Sequence, residues 1–308
     1  MENNTKGVVI RATGSWYEVL VDDTVYSCRI RGKLRLKGVR STSPVVVGDV
    51  VSLEADDQEN YLITQVEQRR NYIIRRASNL SKESHIIAAN IDRAILVATL
   101  FSPSTPTEFI DRFLITCEAY KIPATIILAK VDLARTEPEL LAEFVATYRS
   151  AGYQVIEVSA TEGIGLDEVK EILQGNTTLI SGNSGVGKST LIGAIEPHIE
   201  IKTGEISTSH HKGKHTTTFS TMYPLSQGGY IIDTPGIKGF GLLEIDDDEL
   251  WHYYPEMMKY GADCQFYNCT HTHEPKCAVL RAVEEGKIAY SRYESYLKIL
   301  DEDEKYRK

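Results

Sequence analysis

The chain has 308 residues, 42% of them hydrophobic and 25% charged, with a formal net charge of −9. That balance excludes a wholly disordered chain and predicts a soluble protein of two or three domains. No apolar run reaches the roughly 18 residues that span a bilayer, the polar start Met1-Glu2-Asn3-Asn4 does not read as a secretory leader, and five cysteines are too few for a disulfide scaffold, so the cytoplasm is the expected compartment.

The first ~70 residues read as short strands punctuated by turns: Gly7–Ile10, Trp16–Val21, Thr24–Cys28, Val45–Val51 and Tyr61–Ile63. Five β-branched and aromatic runs with no helical period predict a small barrel of the OB-fold kind. Between the third and fourth runs, Arg29, Arg31, Lys33, Arg35 and Lys37 alternate with uncharged residues. Period two places the five cations on one face of a strand or ribbon, a surface suited to a polyanion such as RNA. Arg69, Arg70, Arg75, Arg76 and Lys82 are expected to extend it. Residues 1–76 carry 12 Lys/Arg against 10 Asp/Glu, so this basic part stands out from an acidic whole.

From ~90 to ~243 the period changes. Apolar strands (Ile91–Leu100, Ala124–Ala129, Tyr153–Val158, Thr177–Ser181, Tyr230–Asp233) alternate with amphipathic stretches at Thr107–Tyr120, Pro138–Tyr148 and Leu166–Leu173. This alternation predicts an α/β domain on a largely parallel sheet. Thr217–Leu225 and Tyr230–Asp233 flank Gln227-Gly228-Gly229, which adds one antiparallel edge strand through a hairpin.

Within that domain Gly182-Asn183-Ser184-Gly185-Val186-Gly187-Lys188-Ser189 follows a strand and opens a helix through Thr190. Glycines let the backbone curl so that N–H groups meet phosphate oxygens. Lys188 supplies a cation for the β and γ phosphates, and the Ser189 hydroxyl suits Mg²⁺. About 45 residues on, Asp233-Thr234-Pro235-Gly236 ends a strand. Asp233 there suits water-mediated Mg²⁺, and the Gly236 N–H suits a γ-phosphate. Guanine recognition ordinarily follows such a loop, but here the matching residues precede it. Ala129-Lys130-Val131-Asp132 ends one strand and Ser159-Ala160 ends the next. The Asp132 carboxylate can accept from guanine N1–H and the exocyclic amine, Lys130 would lie over the base, and the Ala160 N–H would meet the guanine carbonyl. The order is a circular permutation of the ordinary GTPase.

From residue 244 the chain is acidic, with 15 Asp/Glu against 9 Lys/Arg in 244–308. Cys264-x4-Cys269-x-His271-x5-Cys277 places four soft ligands within 14 residues, the spacing of a tetrahedral structural zinc site. His273 lies within reach as well as His271. Ile288–Leu300 predicts a final helix.

The combination of barrel, permuted GTPase and Cys/His cluster closely resembles the ribosome small-subunit-dependent GTPase A family (RsgA, also called YjeQ), over essentially the full length. The resemblance implies a multidomain protein. Residues 1–72 form an OB-fold RNA-binding domain, 73–243 a circularly permuted α/β P-loop GTPase domain, and 244–308 a mostly helical zinc-binding domain. It implies a cytoplasmic, monomeric factor, not membrane-bound, for late maturation of the small (30S) ribosomal subunit. That factor binds rRNA and hydrolyses GTP to GDP and phosphate with one structural Zn²⁺ and Mg²⁺. It favours His271 over His273.

One departure stands out: Ala129 replaces the asparagine of Asn-Lys-x-Asp, which bonds guanine N7 and braces the P-loop. One or two hydrogen bonds of about 0.5–1.5 kcal/mol each are lost. A water-orienting glutamine is absent too, since Ile237 follows Gly236. In the resembled family the histidine of the Gly-Lys-His-Thr-Thr stretch serves hydrolysis, which is His215 here, although His210 and His211 stand nearby. Thr217, or a threonine beside it, is expected on Mg²⁺. Two other readings fit the residues less well: a nucleotide-gated RNA-binding protein with negligible catalysis, opposed by Lys188, Ser189 and Asp233, and a P-loop ATPase, opposed by Lys130, Asp132, Ser159 and Ala160.

Overall fold

The computed structural model describes residues 5–32, 44–55, 61–76, 84–199, 220–233, 245 and 248–306. Its first strands are β1 (Thr5–Thr13), β2 (Trp16–Val21), β3 (Thr24–Ile30), β4 (Val50–Ala55) and β5 (Tyr61–Val66). They run β1-β2-β3-β5-β4, and β1 returns to pair with β4, which closes the ring. Only β3 and β5 pair in parallel within it. This is the expected five-stranded barrel, filled by alternate residues such as Val9, Val19, Cys28, Leu53 and Ile63.

The run Val45–Val51 reads as one strand in sequence, but β4 begins only at Val50. Val45 faces the barrel core, Val46 a small cluster with Ile74 and Ile86, and Val47 the core of the next domain. A strand has two faces and cannot serve three clusters, so the valines lie in a turn instead. Asp49 holds that turn. Its carboxylate accepts from the Val46 N–H at 2.8 Å and from Arg69 Nε and Nη2 at 2.7 and 2.8 Å. Behind it β6 (Tyr72–Arg76) and β7 (Ser84–Ala89) form a separate antiparallel pair that the sequence pattern had not revealed.

The central domain comprises β8 (Arg93–Ala98), α1 (Thr107–Ala119), β9 (Ala124–Ala129), α2 (Pro138–Ser150), β10 (Gln154–Val158), α3 (Leu166–Leu173), β11 (Thr177–Ser181), α4 (Lys188–Ile195), β12 (Thr221–Pro224) and β13 (Tyr230–Asp233). The order is β10-β9-β8-β11-β13-β12, with only β12 antiparallel. Both faces are covered. Leu96 joins Phe113, Ile126 and Tyr148 on the side of α1 and α2, while its neighbours Ile95 and Val97 join Ile156, Leu191 and Ile192 on the side of α3 and α4. Burial on both faces is why these strands are continuous apolar runs. β12 is not an edge, however. Thr221 pairs with Arg11 of β1, so the sheet continues into the barrel.

The C-terminal part holds α5 (Pro255–Gly261), α6 (Ala278–Glu284) and α7 (Tyr290–Tyr306) around Leu250, Tyr254, Met257, Val279 and Ile299. Its core takes in Ile115 of α1. A buried ion triad fixes the join: Arg292 of α7 bonds Asp111 of α1 and, at 2.7 and 3.2 Å, both oxygens of Glu256 of α5. No helix among the described residues is long and apolar enough to cross a membrane.

Candidate nucleotide site and metal centre

The five parallel strands place their carboxyl ends on one edge of the sheet. The chain leaves β8 for β9 on one side and returns through β11 on the other, so the order reverses between β8 and β11. Ligands bind at such a reversal in open α/β sheets. The Gly182–Ser189 loop lies there. Gly182 (φ +147°) would drive a Cβ to 2.4 Å from the Val97 carbonyl oxygen, so only glycine fits. Gly187 (φ +99°) adopts the left-handed conformation that starts α4. Lys188 Nζ donates to the Asn183 carbonyl at 2.9 Å and also to that of Gly182, bonds that hold the ammonium inside the loop.

Burial pushes the Lys188 pKa down and the Asp233 carboxyl up, against their mutual attraction. Each charge therefore lacks solvation that a bound phosphate and its magnesium ion would replace, so the donor set fits Mg²⁺. Ser189 is half-buried at the start of α4, and Thr190 follows it exposed.

The upstream base motif converges on this loop. Ala129 ends β9, and Lys130 (φ +59°) turns back across β8 so that its Nζ donates to the Gly185 carbonyl at 2.7 Å and to that of Ser102. The Val131 N–H donates to the Val158 carbonyl at 3.2 Å, which aligns the Asp132 turn with the end of β10. There Ser159 exchanges both backbone bonds with Ile164, at 3.1 and 3.0 Å, and Ala160 opens the turn between them. The structure thus gathers Lys130, Val131, Asp132, Ser159, Ala160, the P-loop and Asp233 along one sheet edge. The Ser102–Pro103 segment, which places a proline carbon 3.4 Å from where a Gly185 Cβ would stand, belongs to the same edge and carries no motif by which to find it. His215, Thr217 and Gly236 lie outside the described residues.

The Cys/His residues converge in the C-terminal part. The candidate ligand atoms of Cys264, Cys269, His271 and Cys277 all lie within 4.8 Å of one another. His271 Nδ1 is 3.3 Å from Cys277 Sγ and 3.6 Å from Cys264 Sγ. His273 is exposed and bonds Thr272 instead. Amides aim at the sulfurs: Ala278 N–H at Cys264 Sγ (3.3 Å) and Leu280 N–H at Cys277 Sγ (3.4 Å). Burial pushes the Cys269 thiol up to about 12 and raises that of Cys277, so thiolates here need a cation beside them. Three sulfurs and an imidazole nitrogen suit zinc, and four protein ligands leave no open position for catalysis.

Of the basic run, only the residues up to Gly32 are described. β3 stops at Ile30 and Gly32 (φ +63°) ends the extended path. Arg29 lies 3.8 Å over the ring of Trp16, which is 38% exposed, and Arg31 pairs with Glu54 of β4. Arg69 is buried against Asp49 and does not extend a basic face, whereas Arg70 pairs with Asp92 at 2.7 Å and stays exposed. Arg75 and Arg76 fall in β6. Lys33, Arg35, Lys37 and Lys82 lie outside the described residues.

Comparison with known proteins supplies the rest. The model of the RsgA GTPase matches residues 66–243, and that of the RsgA N-terminal domain residues 6–63. A protein of Bacteroides thetaiotaomicron named small ribosomal subunit biogenesis GTPase RsgA 2 is 54% identical over 307 residues, covering 98% of this chain and 99% of its own. Its namesake in Christiangramia forsetii is 50% identical, covering 98% of each. The crystal structure of YjeQ from Thermotoga maritima superimposes with a TM-score of 0.78 at 33% identity over 97% of this chain and 98% of that one. The crystal structure of YloQ, described as a circularly permuted GTPase, gives 0.74 at 29% over 99% and 96%.

Proposed function

The chain belongs to the RsgA GTPase family, and from that premise we propose that it is a GTP hydrolase acting in late maturation of the small (30S) ribosomal subunit, its turnover stimulated by that subunit. The observation that carries the reading is the single sheet edge on which Lys130 ties the base-recognition turn to the P-loop. Labour divides among three units. Residues 1–72 meet rRNA through Arg29, Arg31, Lys33, Arg35 and Lys37, residues 73–243 bind and hydrolyse GTP, and residues 244–308 are organised by one zinc ion. The setting is the cytoplasm, and the protein acts as a monomer.

The chemistry asked of the chain is water attack on the γ-phosphorus with cleavage of its bond to the β–γ bridging oxygen, giving GDP and phosphate. Ser189 and Thr217 would hold Mg²⁺, with Asp233 reaching it through water, and the ion would supply neutralisation of the phosphate oxygens. Lys188 and the loop amides of 182–189 hold the β and γ phosphates. Gly236 offers its N–H to the γ-phosphate. Asp132 and Ala160 select guanine over adenine, and Lys130 covers the base. Ile237 cannot orient water, and His215 takes that role.

The test is turnover of GTP and ATP, each with and without purified small subunits. GTP hydrolysis that rises with subunits and exceeds ATP hydrolysis is expected; equal use of ATP would overturn the guanine assignment. His215→Ala should lower hydrolysis and leave GTP binding nearly intact, because water positioning acts on the transition state. Equal loss of both would remove His215 from catalysis.

A further inference from the structure

Asp132 and Ala160 sit on separate turns, and guanine needs both at a fixed spacing. The asparagine of an ordinary base site bonds guanine N7 and braces the P-loop, and here that position is Ala129, which is buried and has no side-chain polar group. Lys130 fixes the P-loop side only. On the far side the two turns are joined by Arg135 and Glu162. Arg135 Nη1 is 3.1 Å from Glu162 Oε1, and Nη2 pairs with Oε2, the two-pronged geometry that fixes direction as well as distance.

Each partner is rigidly related to a base-recognition group. Arg135 lies in the 3₁₀ turn Leu133–Thr136, which is bonded back from Leu133 N–H to the Lys130 carbonyl and from Ala134 N–H to that of Val131, both at 3.0 Å. Moving Arg135 therefore moves Asp132. Glu162 sits in the turn that the Ser159–Ile164 bonds close, two residues from Ala160. We propose that the Arg135–Glu162 pair is a positioning clasp for guanine, holding Asp132 and the Ala160 N–H in register with each other. The proposal rests on the GTPase reading above and deepens it.

Arg135 and Glu162 side chains are 61% and 38% exposed. An exposed pair adds little to global stability, so its loss should not unfold the chain. Its effect falls on base binding, equally in ground and transition states, which raises KM and leaves kcat. Salt should weaken it.

The experiment titrates a fluorescent methylanthraniloyl-GDP into the full chain, with magnesium, for wild type, Glu162→Gln, Arg135→Gln and the charge-swapped pair R135E/E162R. Each single variant should weaken GDP binding roughly three- to fivefold, with an unchanged melting temperature and unchanged, weak ATP binding. The swapped pair should return to within about twofold of wild type. In 1 M salt the singles and wild type should converge. Singles that bind GDP as wild type does, or a swapped pair no better than the singles, would overturn the clasp while leaving the GTPase reading intact. A wild type that binds no guanine nucleotide would sink that reading and the clasp with it.

Discussion

The Cys/His centre and the nucleotide site are built in opposite ways. The first takes its four ligands from 14 consecutive residues, closed by turns and by the start of α6. The second takes its groups from the ends of five strands, between Ser102 and Asp233, and only the sheet order brings them together. A local centre stands or falls as one unit when its ion leaves. A site spread over a sheet edge should lose single functions one at a time while the fold persists. That difference is testable at each end.

Removing the metal should give the largest effect. Structural zinc sites contribute roughly 10–16 kcal/mol of apparent binding energy to small domains. Chelation, or Cys269→Ser, should lower the zinc content from one per chain. It should also open the backbone around Thr270 and His271, whose carbonyls accept from the Tyr296 and Tyr293 hydroxyls at 2.7 and 2.8 Å. Hydrogen exchange would show this region deprotected while β8 to β11 stay protected. A metal-free wild type with the C-terminal part fully protected would remove the proposed zinc.

Lys188→Ala tests the other end. It deletes a cation facing two phosphates, worth about 3 kcal/mol or more, so GTP binding should weaken by roughly a hundredfold. The melting curve of the unliganded chain should change far less than GTP binding does, since the hydrogen bonds of Lys188 stay within its own loop and burial already raises the Asp233 carboxyl that it attracts. Unchanged GTP affinity would remove Lys188 from the site.

The same contrast sets what could be read from sequence. The P-loop, Lys130–Asp132, Ser159–Ala160 and the cysteine spacing are short strings whose chemistry is written in residue type, and the structure brings each string's described residues together. Strand runs were legible where burial on two faces left them continuous, as in β8 and β9. Other features were not. Val45–Val47 copies a strand's composition because three valines serve three cores. The basic run looks unopposed because its acid, Glu54, arrives from another strand. Arg292 sits 181 residues from Asp111, a separation at which no local pattern marks a partner.

Arg292 itself offers an intermediate test. It is 1% exposed and is the cation between Asp111 and Glu256 where α7 and α5 meet α1. Arg292→Met leaves two buried carboxylates uncompensated and should destabilise the chain by about 3–5 kcal/mol. Converting all three to apolar residues of similar size (Asp111→Leu, Glu256→Met, Arg292→Met) should recover most of that, because the desolvation cost goes with the charges. Thermal unfolding of the two variants decides it. If the triple variant is no more stable than Arg292→Met, the triad supplies net stability and not merely the specificity of docking.

The smallest effect is expected a short way along the same interface. Lys298 of α7 meets Glu108 of α1 at 2.7 Å, and also Glu294 of its own helix at 3.4 Å, but in solvent rather than in the core. Water and salt screen such a pair, so Lys298→Ala should lower the melting temperature far less than Arg292→Met. The hydrogen bond from Lys298 holds the Glu108 carboxyl below the ordinary glutamate range. A lowered folded-state pKa gives stability that is present above the unfolded pKa and is lost as the pH falls through the folded one. The small gap between wild type and Lys298→Ala at neutral pH should therefore close in acid, and in 1 M salt at any pH. Melting curves across pH and salt check this. A gap that persists in acid would show that Lys298 acts through the packing of its methylene stem on α1 and not through its charge.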